Sequence, residues 1–291
     1  MAKIGVIDVG GTSIKYGVWT GEKVIKQHSL PTPKRLDKYY QQLTAEVDQM
    51  KADDQIVGVG ISTPGAVNKE TGVIEGASAI PYIHNFPIQP ELVKRFGLPV
   101  TLENDANSAA LAEMIDGAGA DVQNALFLVL GTGVGGAVII NGHVFHGAHL
   151  FGGEFGYMQM GDGQILSEVA TPVGVARHYN ERTGKAATGE DVFNLAKQGD
   201  LVAAEEVEHF YKNLARAIYN LQYGFDPQRI ILGGAVSQNP DLLPNVKREM
   251  QAILKQVDIA PFMPDVVTCR YHNEANLRGA AVDFMQTYPD K

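Results

Sequence analysis

The chain has 291 residues, 45% of them hydrophobic and 20% charged, which is ordinary for a folded globular protein with one large domain or two smaller ones. The formal net charge of −9 argues against a general nucleic-acid binder, which needs a basic face. It does not exclude ATP, because a few local N–H groups and one Mg²⁺ can hold a triphosphate inside an acidic protein.

The cysteine count and the distribution of apolar residues exclude some kinds of site and some locations. Cys269 is the only cysteine, so an internal disulfide and any multi-cysteine metal site are excluded. The first residues lead straight into a predicted strand, without a segment of signal-peptide shape. No run of about 18 apolar residues could span a membrane. We therefore expect a cytoplasmic protein without a membrane partner.

The first half of the chain alternates short aliphatic strands with glycine-rich turns. Residues 3–29 predict a β-meander whose first turn is Asp8-Val9-Gly10-Gly11-Thr12, followed by Lys15. The strand over 100–103 delivers Asn104 and Asp105 to its carboxyl end, before a small-residue helix over 106–114. The other predicted elements are a helix over 36–51, a strand over 56–62 that stops at Thr63-Pro64-Gly65, a hairpin over 67–74 and a helix over 90–96.

The second half opens by repeating this pattern. A strand over 125–130 leads into the turn Gly131-Thr132-Gly133-Val134-Gly135-Gly136, and a second strand over 137–140 ends at the hairpin signal Asn141-Gly142. We interpret the repeat as an internal duplication of a βββ unit, one copy per lobe. From about Glu168 the chain is predicted to be mostly helical, with one long amphipathic helix over 205–223 and a last helix over 275–288.

Three glycine-rich turns, each at the end of a predicted strand, indicate a nucleotide site. Glycine lets the backbone come close to a phosphate, and successive N–H groups then point at the anion. The carboxylate of Asp8 suits a Mg²⁺ ion held through water. The residues predicted to bind nucleotide are Asp8, Gly10, Gly11, Thr12, Lys15, Gly131, Thr132, Gly133, Gly135, Gly233 and Gly234.

Each of these assignments has a plainer alternative. The turn over 131–136 could be an ordinary tight turn; it is not a dinucleotide fingerprint, because a strand rather than a helix follows it. Asp8 could be a turn former, and Lys15 could be a solvated strand residue.

Asp105 is the predicted general base. A sugar hydroxyl is a poor nucleophile, and in-line phosphoryl transfer needs its proton accepted and its oxygen aimed. An Asp at a strand end and a helix N-terminus is fixed in position and held anionic by the helix dipole. Asn104 offers amide donors to a neighbouring hydroxyl. The alternative makes Asp105 only the N-cap of the helix, and the two roles compete for the same oxygens.

The segment over 147–158 is dense in glycine and is predicted to bind a polyol. Glu154 would accept hydrogen bonds from two hydroxyls, and Tyr157 or Phe155 would stack on a sugar face. A flexible lid without ligand contact is the alternative. The nearby histidines are interpreted as loop residues rather than metal ligands: His143, His146 and His149.

Together these motifs resemble the ROK family (repressors, open reading frames and sugar kinases) of the hexokinase–actin superfamily, over essentially the whole chain. The segment Glu103-Asn104-Asp105-Ala106-Asn107 looks like the one that holds the family's catalytic base, and 153–157 looks like its sugar-contacting Glu-x-Gly-His motif. The resemblance implies an α/β, two-lobed, actin-like ATPase (ribonuclease H-like) fold with duplicated βββαβα units and an interlobe cleft. It implies ATP and Mg²⁺ as cofactors and sugar contacts from Gly65, Asn104, Asp105, Glu154, Tyr157 and Glu168.

The chain departs from the family pattern in two related ways. Tyr157 replaces the usual His, and the usual zinc-binding cysteines are absent from 161–168. The resemblance therefore points to a zinc-free branch with an altered pocket at the anomeric carbon. With the segment over 79–86, it is most similar to β-glucoside kinases, which phosphorylate the 6-hydroxyl of the non-reducing glucose in cellobiose and related glucosides.

The resemblance also implies domain limits and an oligomeric state. We expect an N-terminal lobe over 1–115, completed by the C-terminal helix over 275–291, a larger C-terminal lobe over 116–274, and a homodimer. A glucokinase or an N-acetylmannosamine kinase of the same family is the alternative. A sugar-sensing repressor is more remote, because the first phosphate turn begins at residue 8 and leaves no room for a DNA-binding helix-turn-helix before it.

Overall fold

The computed structural model describes residues 2–161, 163–257 and 262–291. The chain divides into two compact units. The first contains Met1–Gly117, His146–Phe151 and Asn273–Lys291, and the second contains Ala118–Phe145 and Gly152–His272.

The first unit is built on a five-stranded mixed sheet. Its strands in spatial order are β3 (Val24–Pro31), β2 (Ser13–Trp19), β1 (Ile4–Val9), β4 (Val59–Thr63) and β7 (Val100–Asn104). The first three are antiparallel neighbours, whereas β1, β4 and β7 run parallel. The other elements of this unit are α1 (Leu36–Asp54), the hairpin of β5 (Ala66–Asn68) and β6 (Val73–Glu75), α2 (Ile88–Phe96), α3 (Asp105–Asp116) and α9 (Ala275–Thr287).

The second unit contains a sheet of the same design. Its spatial order is β10 (His143–Val144), β9 (Val134–Ile140), β8 (Ala125–Leu130), β13 (Arg229–Gly233) and β14 (Val266–Thr268). Here too the first three strands are antiparallel neighbours, and the last three are parallel. The other elements are the pair β11 (Gln159–Gly161) and β12 (Gln164–Ile165), α4 (Leu166–Val169), α5 (Pro172–Thr183), α6 (Gly189–Lys197), α7 (Leu201–Phe225) and α8 (Leu242–Val257). The predicted duplication is thus confirmed.

Close backbone approach fixes the helices of the first unit on its sheet. A Cβ atom at Gly60 of β4 would lie 2.1 Å from the carbonyl oxygen of Ala280 in α9. One at Gly279 would lie 1.7 Å from the carbonyl oxygen of Ser108 in α3. Gly60 therefore lets α9 lie directly on β4, and Gly279 lets α9 touch α3.

Most predicted elements are present with shifted ends. The strand predicted over 56–62 begins only at Val59, because the parallel ladder with β1 starts at the pair Gly5–Val59. The long helix predicted over 205–223 lies inside α7, which begins earlier because Asp200 accepts a hydrogen bond from the amide of Ala203 at 3.0 Å. Cys269 is buried. Within the described ranges, no helix is both long and apolar enough to cross a bilayer.

Candidate active site

In the first unit, the predicted residues collect where three neighbouring parallel strands end. Asp8 of β1 is in register with Ser62 of β4, and Thr63 at the end of β4 is in register with Asn104 of β7. Gly65 follows β4 by two residues. Ligands of open α/β sheets bind outside the carboxyl ends of such strands. The sheet thereby brings Asp8, Gly65, Asn104 and Asp105 to one edge.

Asp8 is an anchored carboxylate. It is 7% exposed, with one oxygen 3.3 Å from the Lys15 ammonium and the other accepting a hydrogen bond from the Asn276 amide at 3.0 Å. Lys15 is therefore more than a solvated strand residue, since it pairs with Asp8. A single carboxylate is an oxygen donor of the kind Mg²⁺ prefers, and it leaves the remaining positions to water and phosphate oxygens. The residues present fit a water-mediated ion.

The turn after β1 is shaped for backbone contact with an anion. The Gly10 amide donates to the Ser13 carbonyl at 3.0 Å, and the Thr32 hydroxyl donates to the Gly10 carbonyl at 2.6 Å. Gly11 and Thr12 are exposed at the tip. A Cβ atom at Gly11 would lie 2.8 Å from that of Ala79, so this position accepts a side chain only if its neighbour moves.

The competition between capping and catalysis at Asp105 is resolved by Asn104. The Asn104 side-chain oxygen accepts from the amides of Ala106 and Asn107 at 2.9 and 3.2 Å, which makes Asn104 the N-cap of α3. Its amide nitrogen donates to the Gly65 carbonyl at 3.0 Å. One Asp105 oxygen accepts from Ala106 at 2.8 Å. Asn104 thus supplies both cap hydrogen bonds, and Asp105 is only a second acceptor for the Ala106 amide.

The electrostatic surroundings of Asp105 favour a base. Asp105 as a residue is open to solvent, but protein atoms around its carboxyl group displace part of the water and raise the pKa of that group above the ordinary value. The negative charge of Asp8 raises the pKa further. The amides of Ala106 and Asp105 and the side chain of Asn104 act in the opposite direction. A carboxylate with a raised pKa accepts a proton more readily than a free one.

Gly65 needs its glycine. Its φ of +102° lies in the left-handed half of the map, and a Cβ atom there would lie 2.7 Å from both His84 and Ile74. Both the backbone conformation and the lack of space therefore exclude any residue with a Cβ atom at this position. The Gly65 carbonyl accepts from the Asn104 side-chain amide and so orients it.

In the second unit, the two remaining glycine turns lie side by side. Gly233 of β13 is in register with Val129 of β8, and a Cβ atom at Gly234, whose φ is +88°, would lie 2.3 Å from the Leu130 carbonyl oxygen. The turn after β8 is closed by a hydrogen bond from the Gly131 amide to the Gly133 carbonyl at 2.9 Å. Thr132 is exposed at its tip.

The segment that carries Glu154 packs directly on the strand after this second turn. A Cβ atom at Gly136 would lie 2.5 Å from the Phe155 ring, and one at Gly156 would lie 2.3 Å from the Val134 carbonyl oxygen. The Ser167 hydroxyl accepts from the Val134 amide at 3.0 Å. Gly136 therefore has a packing role, and the second unit brings its predicted phosphate turn and its predicted sugar segment together.

The structure separates the two aromatic candidates in that segment. Phe155 is 4% exposed and its ring meets that of Phe225 edge-on, with centroids 6.1 Å apart, so it cannot stack on a sugar. Tyr157 is 66% exposed, and Glu154 is also exposed. Glu168 lies in the short helix α4, where one of its oxygens accepts from the Ile165 amide at 3.0 Å. Tyr157 is therefore the ring available to a ligand.

Sequence reasoning missed three polar contributors. Asn276 reaches Asp8 from α9, and Glu103 and His146 form a hydrogen bond of 2.9 Å. The available signal for Glu103 was a carboxylate within the short strand that ends at Asn104. Among the described residues, no group of three or more His, Cys, Asp or Glu side chains is arranged to hold a metal ion.

Comparison with known proteins gives a consistent result. A sequence model of the ROK family matches residues 4–286. The chain is 34% identical to a β-glucoside kinase of Listeria monocytogenes over 98% of both proteins, and 32% identical to a glucokinase of Halalkalibacterium halodurans over 84% of both. The structure is similar to that of a ROK family protein from Streptococcus pneumoniae in complex with sucrose, with a TM-score of 0.90 and 38% identity over 99% of this chain and 100% of that one. These relatives support sugar kinase activity and the actin-like ATPase fold.

Proposed function

Because the chain belongs to the ROK family, we propose that it is an ATP-dependent sugar kinase that phosphorylates the 6-hydroxyl of a glucose unit in β-glucosides such as cellobiose. The observation that carries this proposal is the placement of Asp105. It begins α3 at the carboxyl edge of the sheet, with its capping duty taken by Asn104 and its pKa raised. A base of this kind is what a sugar hydroxyl requires.

We assign the following roles within the proposed reaction. The oxygen of the sugar 6-hydroxyl attacks the γ-phosphorus of ATP while Asp105 accepts the hydroxyl proton, and ADP leaves. Asn104 and Gly65 orient the sugar, together with Glu154, Tyr157 and Glu168. Asp8 and Lys15 act on the phosphate side, with the turns at 10–12, 131–135 and 233–234 supplying backbone N–H groups. A bound Mg²⁺ would neutralise phosphate charge.

The preference for a β-glucoside rests on Tyr157 and on the relatives. An exposed ring in the place of the family's histidine changes what the anomeric end of the sugar meets. The β-glucoside kinase of Listeria monocytogenes matches over nearly all of its length. A glucokinase is the second candidate, because a relative of that name matches at 32% identity.

Substrate preference is tested by ADP release with purified protein, ATP and Mg²⁺. The panel is cellobiose, an aryl β-glucoside, glucose, fructose, N-acetylglucosamine and N-acetylmannosamine. We expect the highest kcat/KM with the two β-glucosides. Rapid turnover of glucose with inert β-glucosides would select the glucokinase alternative, and no ADP release with any sugar would refute a sugar kinase.

A further inference from the structure

A charged cluster of the first unit lies directly behind the proposed base. Glu103 is the penultimate residue of β7, two positions before Asp105, and it is only 1% exposed. A buried carboxylate is costly unless its oxygens are paired and hydrogen-bonded. Glu103 makes four such contacts, two through each oxygen.

Each Glu103 oxygen serves a different part of the unit. Oε1 accepts from the Asn104 backbone amide at 2.8 Å and from the Asn107 side chain at 2.9 Å, so it holds the first turn of α3. Oε2 lies 2.9 Å from His146 Nε2 and 3.0 Å from the Lys69 ammonium. The carboxylate therefore joins the start of α3 to the β5–β6 hairpin and to the segment His146–Phe151.

The charges of the cluster favour an ionised Glu103. Burial alone would raise the pKa of this carboxyl group, but the His146 hydrogen bond and the Lys69 charge bring it well below its usual range. Lys69 also pairs with the buried Asp283 of α9. Burial lowers the pKa of the Lys69 ammonium, but the carboxylates of Glu103 and Asp283 outweigh this effect and raise it above the ordinary value. Removing Lys69 would leave both of these carboxylates without their ammonium partner, which makes His146 the better residue to test.

The contact between His146 and Glu103 lies beside a polar cavity rather than in the apolar core. His146 and Lys69 both line a polar cavity of about 460 Å³ between the hairpin and the segment over 146–150. Leu150 in the same wall has a φ of +63°, an unfavourable conformation for a branched side chain. Strained backbone of this kind is concentrated at functional sites.

We propose that Glu103 and His146 are positioning residues for the reaction. They hold the Asn104–Asp105 corner so that the capped start of α3 presents the base in one orientation. The proposal rests on the proposed function in taking Asp105 as the base. Because Glu103 touches the Asn104 amide and the Asn107 side chain rather than any reacting atom, its effect reaches the reaction through Asn104 and Asp105.

The test compares His146→Leu, which removes the hydrogen bond to Glu103, with His146→Gln, whose amide nitrogen can occupy the place of Nε2. His149→Leu is the matched control, since His149 is an exposed histidine of the same segment. His146→Asn stops one bond short of Glu103 and replaces the leucine variant if that variant does not fold. Two quantities are measured: amide hydrogen exchange of the peptide that spans 104–107, and steady-state kinetics with cellobiose.

We expect His146→Leu to exchange about tenfold faster across 104–107 and to lose about 10- to 100-fold in kcat, with KM for the sugar changed less than about threefold. The glutamine variant should recover both quantities, and His149→Leu should match the wild type. Unchanged exchange in His146→Leu, or equal loss in the leucine and glutamine variants, would overturn the proposal. A wild type without kinase activity would refute the proposed function instead, and the exchange measurement would still decide whether His146 orders this corner.

Discussion

At the scale of single residues, Asp105 illustrates a conflict between activity and stability. Its surroundings raise the pKa of the carboxyl group in the folded protein, whereas the unfolded chain keeps a value of about 3.9. The folded state therefore binds the proton more tightly, and stability falls as pH rises through the window between the two pKa values. At neutral pH the ionised Asp105 side chain therefore lowers the stability of the fold, although the base that we propose must be ionised.

Asp105→Asn should accordingly unfold at a higher temperature than the wild type at pH 7, while kcat falls by about 10²- to 10⁴-fold because the base is lost. The gain in melting temperature should shrink as pH is lowered below the pKa of the unfolded carboxyl group. Thermal unfolding at several pH values checks this, and a clear loss of stability at pH 7 would contradict it.

Asp37→Asn is the control of opposite sign. Asp37 lies in the first turn of α1, and its pKa is lowered, first of all by the hydrogen bond from Arg35. Its stabilising contribution is present above the unfolded pKa and is lost as pH falls through the folded one. Removing this carboxylate should therefore leave stability at pH 7 unchanged or slightly reduced, with activity retained.

At the scale of elements, glycine contacts connect the second predicted phosphate turn to the predicted sugar segment. Gly156→Ala would place a methyl group 2.3 Å from the Val134 carbonyl oxygen, so Val134 or the short helical turn at 155–157 must move. We expect a destabilisation of about 1–3 kcal/mol and higher KM values for both substrates.

Gly224→Ala provides the comparison, because the residue is helical and, apart from its chain neighbours and the backbone of its own helix, no atom lies within 4 Å of the added methyl group. This variant should be neutral or more stable by about 0.5–1 kcal/mol, since alanine restricts the unfolded chain and favours helix. Denaturant unfolding measures both variants. Equal stabilities for the two would show that the tight contact at Gly156 is not a constraint.

Local pattern predicted the elements better than it predicted their partners. Strand–turn–strand periodicity was enough to find both sheets, because each glycine turn interrupts an aliphatic run. The capping role of Asn104 rather than Asp105 was not predictable, since both side chains suit an N-cap and only the backbone geometry separates them. The Glu103–His146 contact joins residues 43 positions apart. This contact forms because residues 146–151 return to the first unit, and the spacing of neighbouring residues in the sequence does not predict such a return.

At the scale of the whole molecule, the duplicated sheets explain why a 31.4 kDa chain has two similar glycine turns, both of which we propose to bind phosphate. Each copy places a glycine turn between its first two antiparallel strands. The residues that we propose as functional differ between the copies: Asp8 and Asp105 belong to the first, and Glu154 and Tyr157 to the second. The two sheets thus share one architecture, and the side chains that we propose as functional differ between them.

The homodimer implied by the family resemblance stays a prediction at this scale. Several large apolar side chains of the second unit are exposed, among them Ile140, Phe145, Tyr223 and Phe225. Sedimentation equilibrium should give a mass of twice 31.4 kDa at micromolar concentration. A single-chain mass that persists as concentration is raised would contradict the dimer without affecting the proposed chemistry.

The central claim is tested most directly by identifying the product. Cellobiose is incubated with ATP, Mg²⁺ and either the wild type or Asp105→Asn, and the product is examined by phosphorus NMR. We predict one phosphate ester on the 6-oxygen of the non-reducing glucose with the wild type and no ester with the variant. A phosphate on another oxygen, or comparable product from Asp105→Asn, would contradict the account.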